Sequence, residues 1–236
     1  MAQQATSSGL LNGCKASPGH VKAVVFDLDG VIVDSEHVWD EARQELAAER
    51  GRRWPEQASR AMMGMSSLEW SRYMHGVVGL PEPPEEISAE VVRRLEEIYR
   101  RKLPLIEGAV EAVERLAWRW PLALASSSNR GLIDLVLELA GLERFFRVTV
   151  SSEEVPRGKP APDVYLEAAR RLGVTPDRCA AVEDSENGIR SAKAAGMRVI
   201  AIPSPVYPPA EEALALANEV LTSIEELTPE LIQRLG

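Results

Sequence analysis

Residues 21–28, VKAVVFDL, form a short apolar run rich in β-branched residues that stops at Asp29-Gly30, the pattern of a buried strand followed by a turn. Comparable runs recur at PLALAS (121–126), FRVTVS (146–151), CAAVED (179–184) and MRVIAI (197–202), with a weaker EVLTS beyond them. Helical periodicity fills the gaps, in GAVEAVERLAWR (108–119), RGLIDLVLELA (130–140), PDVYLEAARRLG (162–173) and SENGIRSAKAAG (185–196). Strand and helix alternate, which predicts an α/β fold built on a doubly wound parallel sheet with both faces covered.

The interval from Ser35 to Leu103 breaks that alternation. Its patterns, EHVWDEARQELAAER, PEQASRAMM, SLEWSRYMHGVV and SAEVVRRLEEIYRRK, are helical, and turn signals such as Gly51 and Pro81 to Pro84 separate them. The expected organisation is an extension at 1–20, a core from 21–34 and 104–236, and an inserted helical cap domain at 35–103. Asp34 and Ser35 are expected to cap the first cap helix and to sit at its hinge.

Composition narrows the function classes. A formal charge of −9 lacks the basic stripe of a nucleic-acid binder. Arginines are nevertheless dense in the cap, at Arg50, Arg52, Arg53, Arg60, Arg72, Arg93, Arg94, Arg100 and Arg101, as solvated helix faces or as a basic lid over an anionic substrate. No run is long enough to cross a bilayer, and the first residues lack the pattern of a secretory signal. Cys14 and Cys179 are too few for a disulfide framework, so a reducing, cytoplasmic setting is expected.

In an open parallel sheet, ligands gather beyond the carboxyl ends of the strands. Asp27 and Asp29 end the first strand, Ser126 the second, and Glu183 and Asp184 the CAAVED run, with Lys159 in the loop RGKPAPD. Together these motifs, FDLDGVIVDSE (26–36), LASSSN (124–129), GKPAPD (158–163) and VEDSENGI (182–189), resemble the haloacid dehalogenase-like hydrolases of the phosphoglycolate phosphatase and β-phosphoglucomutase type, whose core is Rossmann-like.

The resemblance implies a phosphatase, and the chemistry of the residues agrees. Asp27 would act as nucleophile through an aspartyl-phosphate, while Asp29 would protonate the leaving oxygen and then deprotonate the attacking water. A carboxylate and a phosphate repel unless a cation stands between them, and Mg2+ is the expected cofactor. The family pattern implies Asp27, the Asp29 carbonyl and Asp184 as its ligands, with Glu183 in or near the shell. It further implies that Lys159 supplies fixed positive charge, and that Ser126, with Ser127, Ser128 and Asn129 behind it, holds phosphoryl oxygens.

Asp29 argues against the dehalogenase branch, which lacks this second aspartate. Ala61 stands where the phosphonate-cleaving branch has a Schiff-base lysine. The sugar-phosphate mutase branch carries a cap histidine where this chain has Trp39 and a phosphate-clamping arginine near Ser67, so mutase activity is the alternative reading. A non-catalytic binding module on the same fold is the alternative of another class, weakened by the presence of every group the reaction needs. The cap loop at Gly64, Met65, Ser66 and Ser67 is the candidate for substrate selection, and the expected partner is a small phosphorylated metabolite such as a sugar phosphate. A monomer or weak homo-oligomer is expected, with no nucleic acid or membrane partner.

Overall fold

The structure, a computed structural model, describes residues 20–63 and 65–235. Nearly all of the expected amino-terminal extension, and Gly64 in the cap loop, lie outside the described residues.

Six strands form one parallel sheet: β1 (Ala23–Phe26), β2 (Leu122–Ser126), β3 (Phe146–Ser151), β4 (Cys179–Glu183), β5 (Arg198–Ala201) and β6 (Glu219–Val220). Their order is β3-β2-β1-β4-β5-β6. The chain builds outward from β1 through β2 to β3, then crosses back to place β4 on the other side of β1. Loops leaving β1 and its two neighbours therefore diverge around a crevice at the carboxyl end of the sheet.

Both faces are buried, as the near-continuous apolar strands require. Val24, Phe26, Leu122, Leu124 and Val182 point to the face covered by α5 (Ala109–Ala117), α6 (Arg130–Ala140) and α10 (Pro229–Arg234). Ala23, Val25, Ala123, Ala125 and Ala181 point to the opposite face, under α7 (Asp163–Leu172) and α8 (Glu186–Ala194), with α9 (Glu211–Leu214) beside α8. Alternation along each strand decides which layer a residue joins.

Residues 36–101 hold α1 (Glu36–Glu49), α2 (Ala58–Met62), α3 (Ser67–Tyr73) and α4 (Pro84–Arg101), with no strand among the described residues there. A π-helical segment, Met74–Val78, continues α3 and ends at Gly79. The long helix α4 begins at Pro84, earlier than the SAEVV pattern suggested, because proline at the first helical position loses no hydrogen bond. Ile87, Val91, Leu95 and Tyr99 make its buried stripe, facing Val38, Ala42 and Leu46 of α1 within one apolar cluster.

Most cap arginines serve solvated faces. Arg93 pairs with Glu90 and Glu97, Arg94 with Glu49, Arg100 with Glu96, and Arg50 with Glu82. Such exposed pairs contribute little to stability and leave little free charge for a ligand.

Candidate active site

The strand ends converge as the topology dictates. Lys159, in the loop between β3 and α7, is only 2% exposed and reaches between two carboxylates, its Nζ 2.9 Å from Asp27 Oδ1 and 2.6 Å from Glu183 Oε1. Tyr165 on α7 donates to the same Glu183 oxygen at 2.6 Å. The other oxygen, Oε2, accepts from the amides of Asp184 and Ser185 and from the Ser185 hydroxyl. Glu183 is thus the buried anion that fixes Lys159 against Asp27, and both of its oxygens are already engaged. Gly188 makes room for it: a Cβ there would fall 1.9 Å from the Glu183 carboxylate.

Asp27, Glu183 and Asp184, all buried, present carboxylate oxygens within 4.8 Å of one another. Lys159 is the ammonium among them, so negative charge is in excess. Burial, together with the neighbouring carboxylates, pushes Asp27 up to about 8 despite Lys159. Burial and the charges of Glu183 and Asp27 likewise hold Asp184 well above the usual carboxylate range. For Lys159, burial acts against the charge but is outweighed by Asp27 and Glu183, and the ammonium stays protonated.

This donor set fits a hard divalent cation. Asp27 Oδ1 touches Lys159 but accepts no well-directed hydrogen bond, and no hydrogen bond to the Asp184 carboxylate is found among the described residues. Asp184 also packs against the backbone next to Asp29, since a Cβ on Gly30, at φ +74°, would lie 2.0 Å from Asp184 Oδ2. Only glycine accepts both that dihedral and that approach.

Asp29 is held from both sides. Its Oδ1 accepts from Ser35 Oγ at 2.5 Å and from Trp39 Nε1 at 3.1 Å, both cap residues. Its Oδ2 accepts from Ser128 Oγ at 2.6 Å and, at 3.5 Å, from Ser126 Oγ. Ser35 sits at the expected helix start but its side chain does not cap α1; the hydroxyl goes to Asp29 instead. Ser126 is fully buried and also accepts from the Ser128 amide, which shapes the loop ahead of α6.

Above these groups lies a pocket of about 90 Å³. Asp27, Asp29, Ser127, Ser128, Lys159 and Asp184 form its floor, and Trp39, Arg43, Met62, Met63, Met65 and Trp70 its cap side. Of the expected cap-loop contacts, Met65 lines it. Ser66 and Ser67 do not: Ser66 donates to Glu69 at the start of α3, and Ser67 donates to Asn129 Oδ1 at 2.7 Å. Asn129 is therefore used to join core to cap, its amide going to Glu153 at 2.6 Å. Asn187 to the Met63 carbonyl, Ser204 to Glu36 and Tyr207 to Asp40 complete the polar seam.

Sequence reading missed Tyr165, Tyr207 and Arg43. Tyr165 and Tyr207 carry no motif that separates them from packing residues. Arg43 did carry a signal: Ser35, Trp39 and Arg43 are spaced by four, so they share one face of α1.

A family model described as haloacid dehalogenase-like hydrolase matches residues 21–196. Hexitol phosphatase B of Escherichia coli O157:H7 is 34% identical over 220 residues, covering 90% of this chain and 97% of the relative. A protein named probable pseudouridine-5'-phosphatase, from Drosophila melanogaster, is 34% identical over 213 residues, covering 87% of this chain and 91% of the relative. The crystal structure of CbbY from Rhodobacter sphaeroides in complex with phosphate superposes with a TM-score of 0.79 at 27% identity, covering 91% of this chain and 99% of that one.

Proposed function

This chain belongs to the haloacid dehalogenase-like hydrolase family, and from that premise we propose that it is a Mg2+-dependent phosphatase acting on a small phosphorylated metabolite through an aspartyl-phosphate at Asp27. The observation that carries the reading is the buried cluster in which Lys159 bridges Asp27 and Glu183 beside Asp184, at the floor of a pocket roofed by the cap. Several relatives are named for phosphatases of such compounds, which supports the substrate class.

In the proposed reaction a carboxylate oxygen of Asp27 attacks phosphorus and the ester P–O bond breaks. Asp29 gives its proton to the departing oxygen. Water then attacks the phosphorus of the aspartyl-phosphate while Asp29 takes the proton back, freeing phosphate and the Asp27 carboxylate. Asp27, Asp184 and the Asp29 carbonyl would hold Mg2+, which supplies neutralising charge for nucleophile and phosphoryl oxygens when bound. Lys159 keeps a fixed positive charge beside the nucleophile. Ser126 shapes the loop, and Ser127 and Ser128 present polar groups to the phosphoryl oxygens ahead of α6. Residues 35–103 act as the cap, and 21–34 with 104–236 as the core.

The test is phosphate release from a panel of phosphorylated metabolites with Mg2+ and with a chelator. Release that stops with the chelator supports the reading. Interconversion of sugar phosphate isomers without release would make the chain a mutase, and neither activity would refute it as an enzyme of this type.

Metal removal should also be visible in stability. With Asp27 raised to about 8, the folded metal-free protein keeps a proton that the unfolded chain releases in the ordinary carboxylate range. The folded state then binds more protons than the unfolded one, so metal-free stability falls as pH rises toward about 8. Mg2+ competes with that proton. Its stabilising shift in melting temperature is therefore expected to be larger at about pH 8 than at about pH 6. Equal shifts at both pH values would contradict the assignment of Asp27 as a ligand.

A further inference from the structure

Arg43 stands apart from the other cap arginines. It is 7% exposed, it lines the pocket, and no ion pair or hydrogen bond to it is found among the described residues. Its guanidinium carbon lies 4.7 Å from the ring centroids of both Trp39 and Trp70, so two indoles hold the group in place. Those rings meet edge to face at 5.7 Å, so the guanidinium packs in the notch of an aromatic pair already in contact. Nε is buried with no hydrogen-bond partner.

The groups around it leave the charge in place. Burial pulls the guanidinium down to about 10, while Asp40, Asp29 and Tyr99 act the other way, so it remains protonated at neutral pH. Asp40 is bonded by Tyr207 and Asp29 by Ser35, Trp39 and Ser128, and neither forms an ion pair with Arg43. A desolvated cation without a counter-ion is unfavourable unless a ligand completes it. Arginine offers a planar fork that matches a carboxylate or phosphate with two parallel hydrogen bonds.

We infer that Arg43 is a specificity-determining residue that receives a second acidic group, carboxylate or phosphate, on the leaving group of the phosphomonoester. Resting on the phosphatase reading, this narrows its substrate class to compact phosphorylated acids or bisphosphates. Helical spacing sets the arrangement: Arg43 lies one turn beyond Trp39 on α1, about 6 Å further along the axis, so the acidic group sits away from the Asp29 end of the pocket.

The experiment compares kcat/KM for matched pairs, 3-phosphoglycerate against glycerol 3-phosphate for a carboxylate, and fructose 1,6-bisphosphate against fructose 6-phosphate for a phosphate. The wild type is expected to favour the acidic member of at least one pair by about tenfold or more, and the favoured pair identifies the acidic group. Arg43→Met should bring that ratio down by about tenfold, and Arg43→Lys should keep part of it, since the charge remains but the fork is lost. Parity in the wild type for both pairs, or a ratio unmoved by Arg43→Met, overturns the inference. Arg43→Gln serves the same purpose if the methionine variant does not fold.

Binding separates this outcome from the phosphatase reading. Tryptophan fluorescence of Asp27→Asn, with Trp39 and Trp70 flanking the site, is titrated with the same four probes and again in Asp27→Asn/Arg43→Met. Tighter binding of acidic probes that disappears in the double variant upholds the inference even where no phosphate is released. Equal binding of acidic and neutral probes refutes it even in an active phosphatase.

Discussion

Asp27→Asn is expected to fold, to bind phosphate esters and to release phosphate at least about four orders of magnitude more slowly than the wild type, because the amide oxygen is a poor nucleophile and the covalent route is closed. The side chains are nearly the same size, and the position lies between β1 and the Lys159 contact. Rapid acid quenching of the wild type should trap label from a phosphorus-labelled substrate on the protein, and the variant should trap none. A variant retaining more than a hundredth of wild-type turnover would remove Asp27 from the nucleophile's role.

Lys159→Met should do comparable damage for a different reason. The substitution takes the ammonium from between Asp27 and Glu183, both at the bottom of the site and almost wholly buried. Removing one partner of a buried ion pair typically costs about 3–5 kcal/mol, since the remaining charge has neither water nor counter-ion. The pH dependence follows from the sign of the shift. Without Lys159, Asp27 should titrate higher still than the value of about 8 it has beside the ammonium, so above about pH 8 the folded variant keeps a proton that the folded wild type has released. Its stability deficit relative to the wild type should therefore stay level from about pH 5.5 to about pH 7 and widen as pH rises beyond about 8 in denaturant titrations. A deficit independent of pH would mean that the loss comes from packing rather than charge. Activity should fall with stability held in check by low temperature, because the fixed charge beside the nucleophile is gone.

The core was readable because its signals are local and redundant. Each buried parallel strand is a short apolar run, and those of β1, β2 and β4 lead into or end on polar residues that the topology carries to the same end of the sheet, Asp27, Ser126 and Glu183. Register needed no foresight, since alternation places Val24 and Phe26 on one face and Val25 on the other. The cap was legible only as helices. Where Ser67 points depends on how α3 meets the loop before α6, a contact between residues 67 and 129 that no local pattern encodes. Tyr165 was illegible for the same reason, because its hydroxyl finds Glu183 only after α7 has docked on the sheet. Arg43 was hidden by its neighbours in sequence: among many arginines on solvated helix faces, burial against two indoles is what distinguishes it, and burial emerges only from tertiary packing.

The grip on Asp29 limits how this protein could be re-engineered. Two of its hydrogen-bond donors, Ser35 just before α1 and Trp39 in its first turn, lie at the start of that helix, and Arg43 follows on the same face. A foreign cap transplanted at residue 35 would replace the cap side of the pocket and the residues that hold Asp29, the proposed proton donor, in one stroke. Chimeras with relatives should therefore remain productive when the crossover lies after Trp39, within α1, and fail as catalysts when it lies before Ser35, however well the transplanted helices fold.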